Sequence, residues 1–417
     1  RTVVRMNQPQ AVEGLASLFQ ATLSPDHATR KGAEAQIVAA QSQPGYPQLL
    51  LSLVSSGASA GISPAVRLAA AVNFKNLCKT TWNDSEDREE WEQPNPALVR
   101  EEDKAVVRQQ ILPLLFGLSS TSSGSPAASA SLRSSLEEGV ALIAEQDFPD
   151  QWPSLIDDLV TRLDSGISQQ DQGVLLETLQ LSHSIFKRWR SAFRSNSLFT
   201  TINLVLGKYA KPFLALLQQT DAALSAQNAQ QSPASVKALA QALDVEIQIF
   251  YDLSCQDLPP QFEDNLDKTI APILLRWLSF SRPELVSADN DDDDTAQAGE
   301  LERIRAGVCE VAELYAQRYL DVFSSHLPSF VQAVWQMLSS AGQSQRFDLL
   351  VNRGIGLLST IVRMGNQKEM FDNADTLKQL VTGIILPNAQ LRESDEELFE
   401  DNPIEYIRRD FEVSTGR

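Results

Sequence analysis

The sequence predicts an all-α protein assembled from antiparallel helix pairs stacked in series. Three observations predict it. Apolar residues recur at spacings of three and four along most of the chain, which places them on one face of a helix. Alternating β-branched runs bounded by Asn-Gly or Asp-Gly turns do not occur. A proline recurs beside an apolar helical run at intervals of roughly 40 to 66 residues, each long enough for about two helices and their loops.

Each element follows from these rules. Leu132, Leu136, Val140 and Ile143 make one stripe. Val236, Leu239, Leu243, Ile247 and Phe250 make a second, and Ile304, Val308, Val311 and Tyr315 a third. Each stripe must bury itself against a neighbouring helix. In chain order, Pro47, Pro113, Pro153, Pro212, Pro272 and Pro328 each precede an apolar run, and Pro387 follows one. Proline suits a first helical turn, where its missing N–H is no loss and its φ is already set. Helix pairs repeating at this length are the HEAT or armadillo pattern, a solenoid. An ordinary helical bundle with prolines scattered at helix starts is the alternative.

The expected organisation is residues 1–5 as a remnant or unstructured leader ahead of Met6, repeats over 6–118, a Ser-rich loop at 119–131 and further repeats over 132–417. Residues 220–235, rich in Gln, Ala and Ser, read as another connector. The run of Asp and Asn at 289–294 reads as a solvated loop within 288–299, because like charges so dense cannot be buried.

Composition narrows the function. Hydrophobic residues are 43% of the chain, enough for substantial cores. The 35 Lys+Arg against 54 Asp+Glu give a net charge of −19, which argues against nucleic acid and favours neutral or basic partners. No apolar run approaches the roughly 18 residues of a membrane span. Cys78, Cys255 and Cys309 are odd in number and unpaired by any CxxC, the usage of a reducing compartment such as cytosol or nucleus. His27, His183 and His326 are dispersed, with no HExxH and no Gly-x-Ser-x-Gly elbow. Gly207-Lys208 is followed by Tyr209 and lacks the upstream glycine of a phosphate-binding loop. With no nucleophile, base and orienter in one constellation, the expectation is a protein-binding scaffold rather than an enzyme, with no cofactor and no metal.

Three segments carry local signals. In DFPDQWP, Phe148 and Trp152 flank a corner and should pin adjacent repeats, each burial contributing roughly 2–3 kcal/mol. In VRLAAAVNFKNLCK, Ala69, Ala70 and Ala71 permit close packing, while Asn73, Asn76 and Lys79–Thr80 line a polar side. In IFKRWRSAFR, Lys187, Arg188, Arg190 and Arg194 form the densest basic cluster. It suits either a partner or local pairing with acids.

Five stretches, FKNLCKTTW (74–82), DFPDQWPSLIDDL (147–159), HSIFKRWRSAFRSNSLF (183–199), CQDLPPQFEDN (255–265) and IILPNAQLRESDEELFEDNPIEYIRRD (384–410), resemble the karyopherin-β (importin-β) superfamily. Within it they resemble the branch that re-exports importin-α, in order from about residue 11 to 410. The resemblance implies a superhelix of HEAT repeats, each with an outer A and an inner B helix, that shuttles between nucleus and cytoplasm through the pore. It implies Ran–GTP on the inner face of the first repeats, importin-α as cargo, and phenylalanine-glycine nucleoporins in outer-helix crevices. By position, the Ran-facing candidates are Arg30 and Glu34 on the first B helix and Asn73, Asn76 and Lys79 on the second. The net charge would then match basic surfaces of Ran and importin-α. The family protein is longer, so the resemblance implies an amino-terminal portion, and the tail after Asp410 departs from the family pattern. Another importin of the superfamily, or a HEAT scaffold of another kind, is the competing reading.

Overall fold

A computed structural model describes residues 8–56, 61–84, 98–118, 126–226, 231–285, 297–342, 344–365 and 371–408. No strand occurs among them. Contacts divide the chain into two units, residues 1–208 and 209–417.

Unit 1 contains α1 (Gln8–Thr22), α2 (His27–Gln41), α3 (Tyr46–Ser55), α4 (Pro64–Thr81), α5 (Glu101–Gly117), α6 (Pro126–Asp147), α7 (Leu155–Gln169) and α8 (Gln172–Phe186). Consecutive helices pack as the pairs α1–α2, α3–α4, α5–α6 and α7–α8. First helices pack on first helices, α1 on α3 and α3 on α5; second helices pack on second helices, α4 on α6 and α6 on α8. The boundary between units falls within α9 (Asn196–Ser225).

Unit 2 continues with α10 (Pro233–Ser254), α11 (Pro260–Glu263), α12 (Ala271–Ser279), α13 (Glu300–Arg318), α14 (Leu320–Phe323), α15 (Leu327–Ser340) and α16 (Asp348–Met364). Three shorter helices follow, α17 (Ala374–Leu380), α18 (Leu386–Ala389) and α19 (Glu393–Asp401). The two-layer rule holds here too: α12 packs on α15, α10 on α13 and α13 on α16, with pairs α12–α13 and α15–α16. The fold class is the expected all-α HEAT-repeat solenoid.

Local chemistry separates the layers in part, since the second helices α13 and α16 have no side-chain cap either. Second helices α2, α4, α8 and α10 begin on Asp26, Ser63, Asp171 and Ser232, whose side chains accept a backbone N–H of the first turn. First helices α3, α5, α7, α12 and α15 have no such cap. The recurrent prolines mark this uncapped layer. Pro47 and Pro328 sit in a first turn as expected. Pro113 and Pro212, however, lie inside α5 and α9 rather than at their starts. An internal proline costs about 3 kcal/mol, and buried Ile111, Leu112 and Leu115 around Pro113 offset it. Pro272 and Pro387 follow π-helical turns at Leu266–Ile270 and Val381–Ile385, whose wider hydrogen-bond spacing makes room for the ring.

Two expected connectors are partly helix. Residues 126–131 of the Ser-rich stretch open α6, where proline at the start and three alanines favour helix. Residues 220–225 close α9 and 233–235 open α10, because Ala and Leu favour helix, Pro233 suits a first turn, and polarity alone does not make a loop. The acidic run 289–294 and residues 1–5 lie outside the described residues. In the DFPDQWP corner Trp152 is buried and Phe148 half-buried.

Candidate protein-binding surface

Helix α4 packs on one side and leaves a polar side exposed. Phe74, Leu77 and Cys78 are fully or nearly fully buried, whereas Asn76, Lys79 and Thr80 are exposed. The Thr80 hydroxyl donates to the Asn76 carbonyl at 2.9 Å, leaving the Asn76 amide and the Lys79 ammonium as the outward polar groups. Asn73 is half-buried. Its Oδ1 accepts the Tyr46 hydroxyl at 2.8 Å, so it ties α4 to α3. Burial pushes the Tyr46 phenol well above its usual range, which keeps it a donor.

On α2, Glu34 is exposed. Arg30 is half-buried and donates from Nη1 to the Ser24 and Pro25 carbonyls, each at 2.9 Å, closing the turn that leads into its own helix. The structure thus divides the five candidates. Glu34, Asn76 and Lys79 point outward, while Arg30 and Asn73 also hold the scaffold. With Arg30 and Lys79 against Glu34, the set is not acidic, so the charge of the whole chain is not concentrated there.

The basic cluster follows α8. Lys187–Arg190 form a 3-10 turn anchored by Trp189, which is buried and stacked on Phe186 at a ring separation of 5.0 Å. Arg188 pairs with Glu145 of α6 at 2.5 Å, the local pairing that the acidic surroundings suggested. Lys187, Arg190 and Arg194 are exposed, and Phe193 between them is 91% exposed.

A cavity of about 760 Å³ opens between α5, α7 and the Gln151–Ser154 corner. Leu112, Phe116 and Trp152 give it apolar walls, and Arg108, Gln109 and Arg162 its polar groups. Arg162 lies over the Phe116 ring at 4.0 Å. Among the described residues, no three His, Cys, Asp or Glu side chains are grouped to hold a metal ion, and no helix is long and apolar enough to cross a membrane.

The family model described as Cse1 matches residues 185–416, more than half of the chain. The chain belongs to the Cse1 family. A second model, the Importin-beta N-terminal domain, matches residues 33–116, from α2 to α5, and so includes Glu34, Asn73, Asn76 and Lys79. The "Importin alpha re-exporter" of Saccharomyces cerevisiae is 36% identical over 386 residues, covering 93% of this chain and 37% of that protein. "Exportin-2" of Homo sapiens is 34% identical over 406 residues, covering 97% of this chain and 38% of that protein. Among solved structures, "The exportin Cse1 in its cargo-free, cytoplasmic state" superposes with a TM-score of 0.82 at 34% identity, covering 96% of this chain and 40% of that one. The chain therefore spans under two-fifths of the length of these curated relatives.

Sequence reasoning missed the cavity and the buried Asp147 beneath it. Asp147 accepts the Trp82 indole N–H at 3.0 Å and Arg108 at 2.5 Å. A tryptophan buried in a helix layer needs an acceptor for its N–H, and that was the available signal.

Proposed function

We propose that this chain is the Ran–GTP-binding, amino-terminal portion of a nuclear export receptor that carries importin-α from nucleus to cytoplasm. The observation that carries this reading is the Importin-beta N-terminal match over α2–α5, within a chain akin to importin-α re-exporters along almost all of its length. The exposed Glu34 on α2 and Asn76 and Lys79 on α4 offer Ran one carboxylate, one amide and one ammonium. Arg30 and Asn73 position these helices from behind.

The mechanism requires no bond-making by the receptor. Ran–GTP and importin-α favour the same curvature of the repeats, so each raises the other's affinity by one coupling free energy. Hydrolysis on Ran in the cytoplasm removes that coupling and releases both. Outside the nucleotide cycle, the α5–α7 cavity is suited to phenylalanine side chains of phenylalanine-glycine nucleoporins, which would let the receptor shuttle through the pore.

A pull-down with Ran–GTP, Ran–GDP and importin-α, singly and combined, tests this. Selective binding of Ran–GTP is expected, and importin-α retention should rise when Ran–GTP is present. Capture of importin-α that Ran–GTP abolishes would identify an importer instead. Asn76→Asp combined with Lys79→Glu should weaken Ran–GTP binding about tenfold or more without changing the melting temperature; unchanged affinity in calorimetry would remove α4 from the interface.

A further inference from the structure

The α5–α7 cavity holds a cation whose charge its neighbours only partly cancel. Arg108 is satisfied, because Asp147 binds it at 2.5 Å and both side chains are buried. Arg162 is not. Its nearest acid, Glu177, is 3.8 Å away, beyond hydrogen-bond reach, and Arg133 occupies that same carboxylate at 3.0 Å. Arg133 also engages Glu137 at 2.9 Å, so that cation draws on both nearby carboxylates. The Arg162 Nε is buried without an acceptor. Asp158 lines the same cavity, but it is exposed, accepts the Ser154 hydroxyl at 3.0 Å, and is screened by solvent.

An under-compensated guanidinium over an aromatic ring, beside an apolar wall, is a recognition device. We propose that the α5–α7 cavity selects a peptide segment in which a large apolar side chain stands beside a carboxylate. The apolar group rests on Leu112, Phe116 and Trp152, and the carboxylate takes the Arg162 guanidinium. The planar fork of arginine suits a carboxylate, and its stacking on Phe116 holds it in place for that contact. This rests on the reading of the cavity as a peptide-binding crevice and adds its selectivity: acid-flanked aromatic segments over neutral ones.

The test uses the full chain and two labelled probes, Gly-Asp-Phe-Asp-Gly and Gly-Asn-Phe-Asn-Gly, with binding followed by fluorescence anisotropy. The acidic probe is expected to bind about tenfold more tightly, a preference that shrinks as salt is raised. Arg162→Gln should collapse the ratio of the two affinities toward one, and Arg162→Lys should retain part of it. Because Arg162 adjoins buried charges, the salt dependence of the unmutated chain gives a second readout should the glutamine variant unfold. Equal affinity for both probes overturns the selectivity and leaves the crevice reading standing. A preference that survives Arg162→Gln overturns Arg162 as its source, and binding of neither probe overturns the crevice itself.

Discussion

The two units share one buried device and surround it differently. In unit 1, Asp147 accepts the Trp82 indole at 3.0 Å and Arg108 at 2.5 Å; in unit 2, Asp221 accepts the Trp277 indole at 2.9 Å and Arg276 at 2.5 Å. Each aspartate holds a tryptophan more than fifty residues away. Around Asp147 the neighbouring layer is held by charges, with Arg133 bridging Glu137 of its own helix and Glu177 of α8. Unit 2 also has ion pairs between second helices, such as Arg303 of α13 with Asp244 of α10 at 3.2 Å, but adds an aromatic chain through its core. Phe213 meets Phe262 at 6.2 Å, Phe262 meets Phe250 at 4.8 Å, Phe250 meets Tyr315 at 5.7 Å, and Tyr315 and Phe330 both meet Phe323. Ion networks tolerate small shifts of one helix against the next, whereas interlocked rings resist them. The α6–α8 packing of unit 1 is therefore the more adjustable of the two.

The largest effects should come from breaking these cores. Phe262, fully buried between Phe213 and Phe250, should lose about 3–5 kcal/mol on change to Ala. Asp147→Asn keeps an acceptor for Trp82 but strands the buried Arg108 charge, and about 3 kcal/mol should go with it. Urea titrations of the two variants compare the units directly. A cost below about 1 kcal/mol for Asp147→Asn would show that unit 1 is not pinned there.

The layered fold was legible because helical periodicity and proline both act within one element. The stripes of α6, α10 and α13 are buried as the spacing required: Leu136, Val140, Leu243, Ile247, Ile304 and Val308 are almost wholly hidden. The pins were not legible, since nothing local links Trp82 to Asp147 or Trp277 to Asp221. The candidate surface was half legible. Spacing placed Asn73, Asn76 and Lys79 on one helix, but only the fold shows Asn73 committed to Tyr46 and Arg30 committed to its own turn. Composition misled where it was used alone, as at 126–131 and 220–225, because alanine is as much at home in a helix as in a linker.

Buried carboxyls sharpen the contrast through pH. Glu246 in unit 2 is fully buried; burial pushes its pKa up to about 8, with the Asp221 charge adding to the rise and the Thr220 hydroxyl, donating at 2.8 Å, opposing it. In unit 1 burial also raises Glu137, but Arg133 and Lys187 pull it back. An acid whose folded pKa exceeds its unfolded one binds its proton more tightly when folded. The contribution of Glu246 is therefore full below pH 4.5 and drains away as pH rises to about 8. Glu246→Gln should flatten that decline and stabilise unit 2 by about 1–3 kcal/mol near pH 8. Hydrogen exchange of α10 amides at pH 5 and pH 8, corrected for intrinsic rates, measures it (both pH values roughly bracket the window). Parallel slopes in the variant and the parent would mean that Glu246 does not carry this pH dependence.

The smallest effect falls on the close contacts between second helices. A Cβ at Gly139 of α6 would meet two carbons of the Phe74 ring at 3.0 and 3.2 Å, whereas one at Gly307 of α13 would meet the Ile247 Cγ2 at 3.0 Å and little else. Alanine in a helix gains about 1 kcal/mol over glycine, and each contact works against that gain. The Phe74 ring is fully buried and moves as one body, so relieving both contacts displaces its neighbours as well. Ile247 needs to yield at a single methyl. Gly307→Ala should therefore be close to neutral and Gly139→Ala destabilising by about 1 kcal/mol, read as a difference in urea midpoints. If both alanines stabilise by the full helix-propensity gain, the adjustable packing assigned to unit 1 does not depend on how closely α4 and α6 approach.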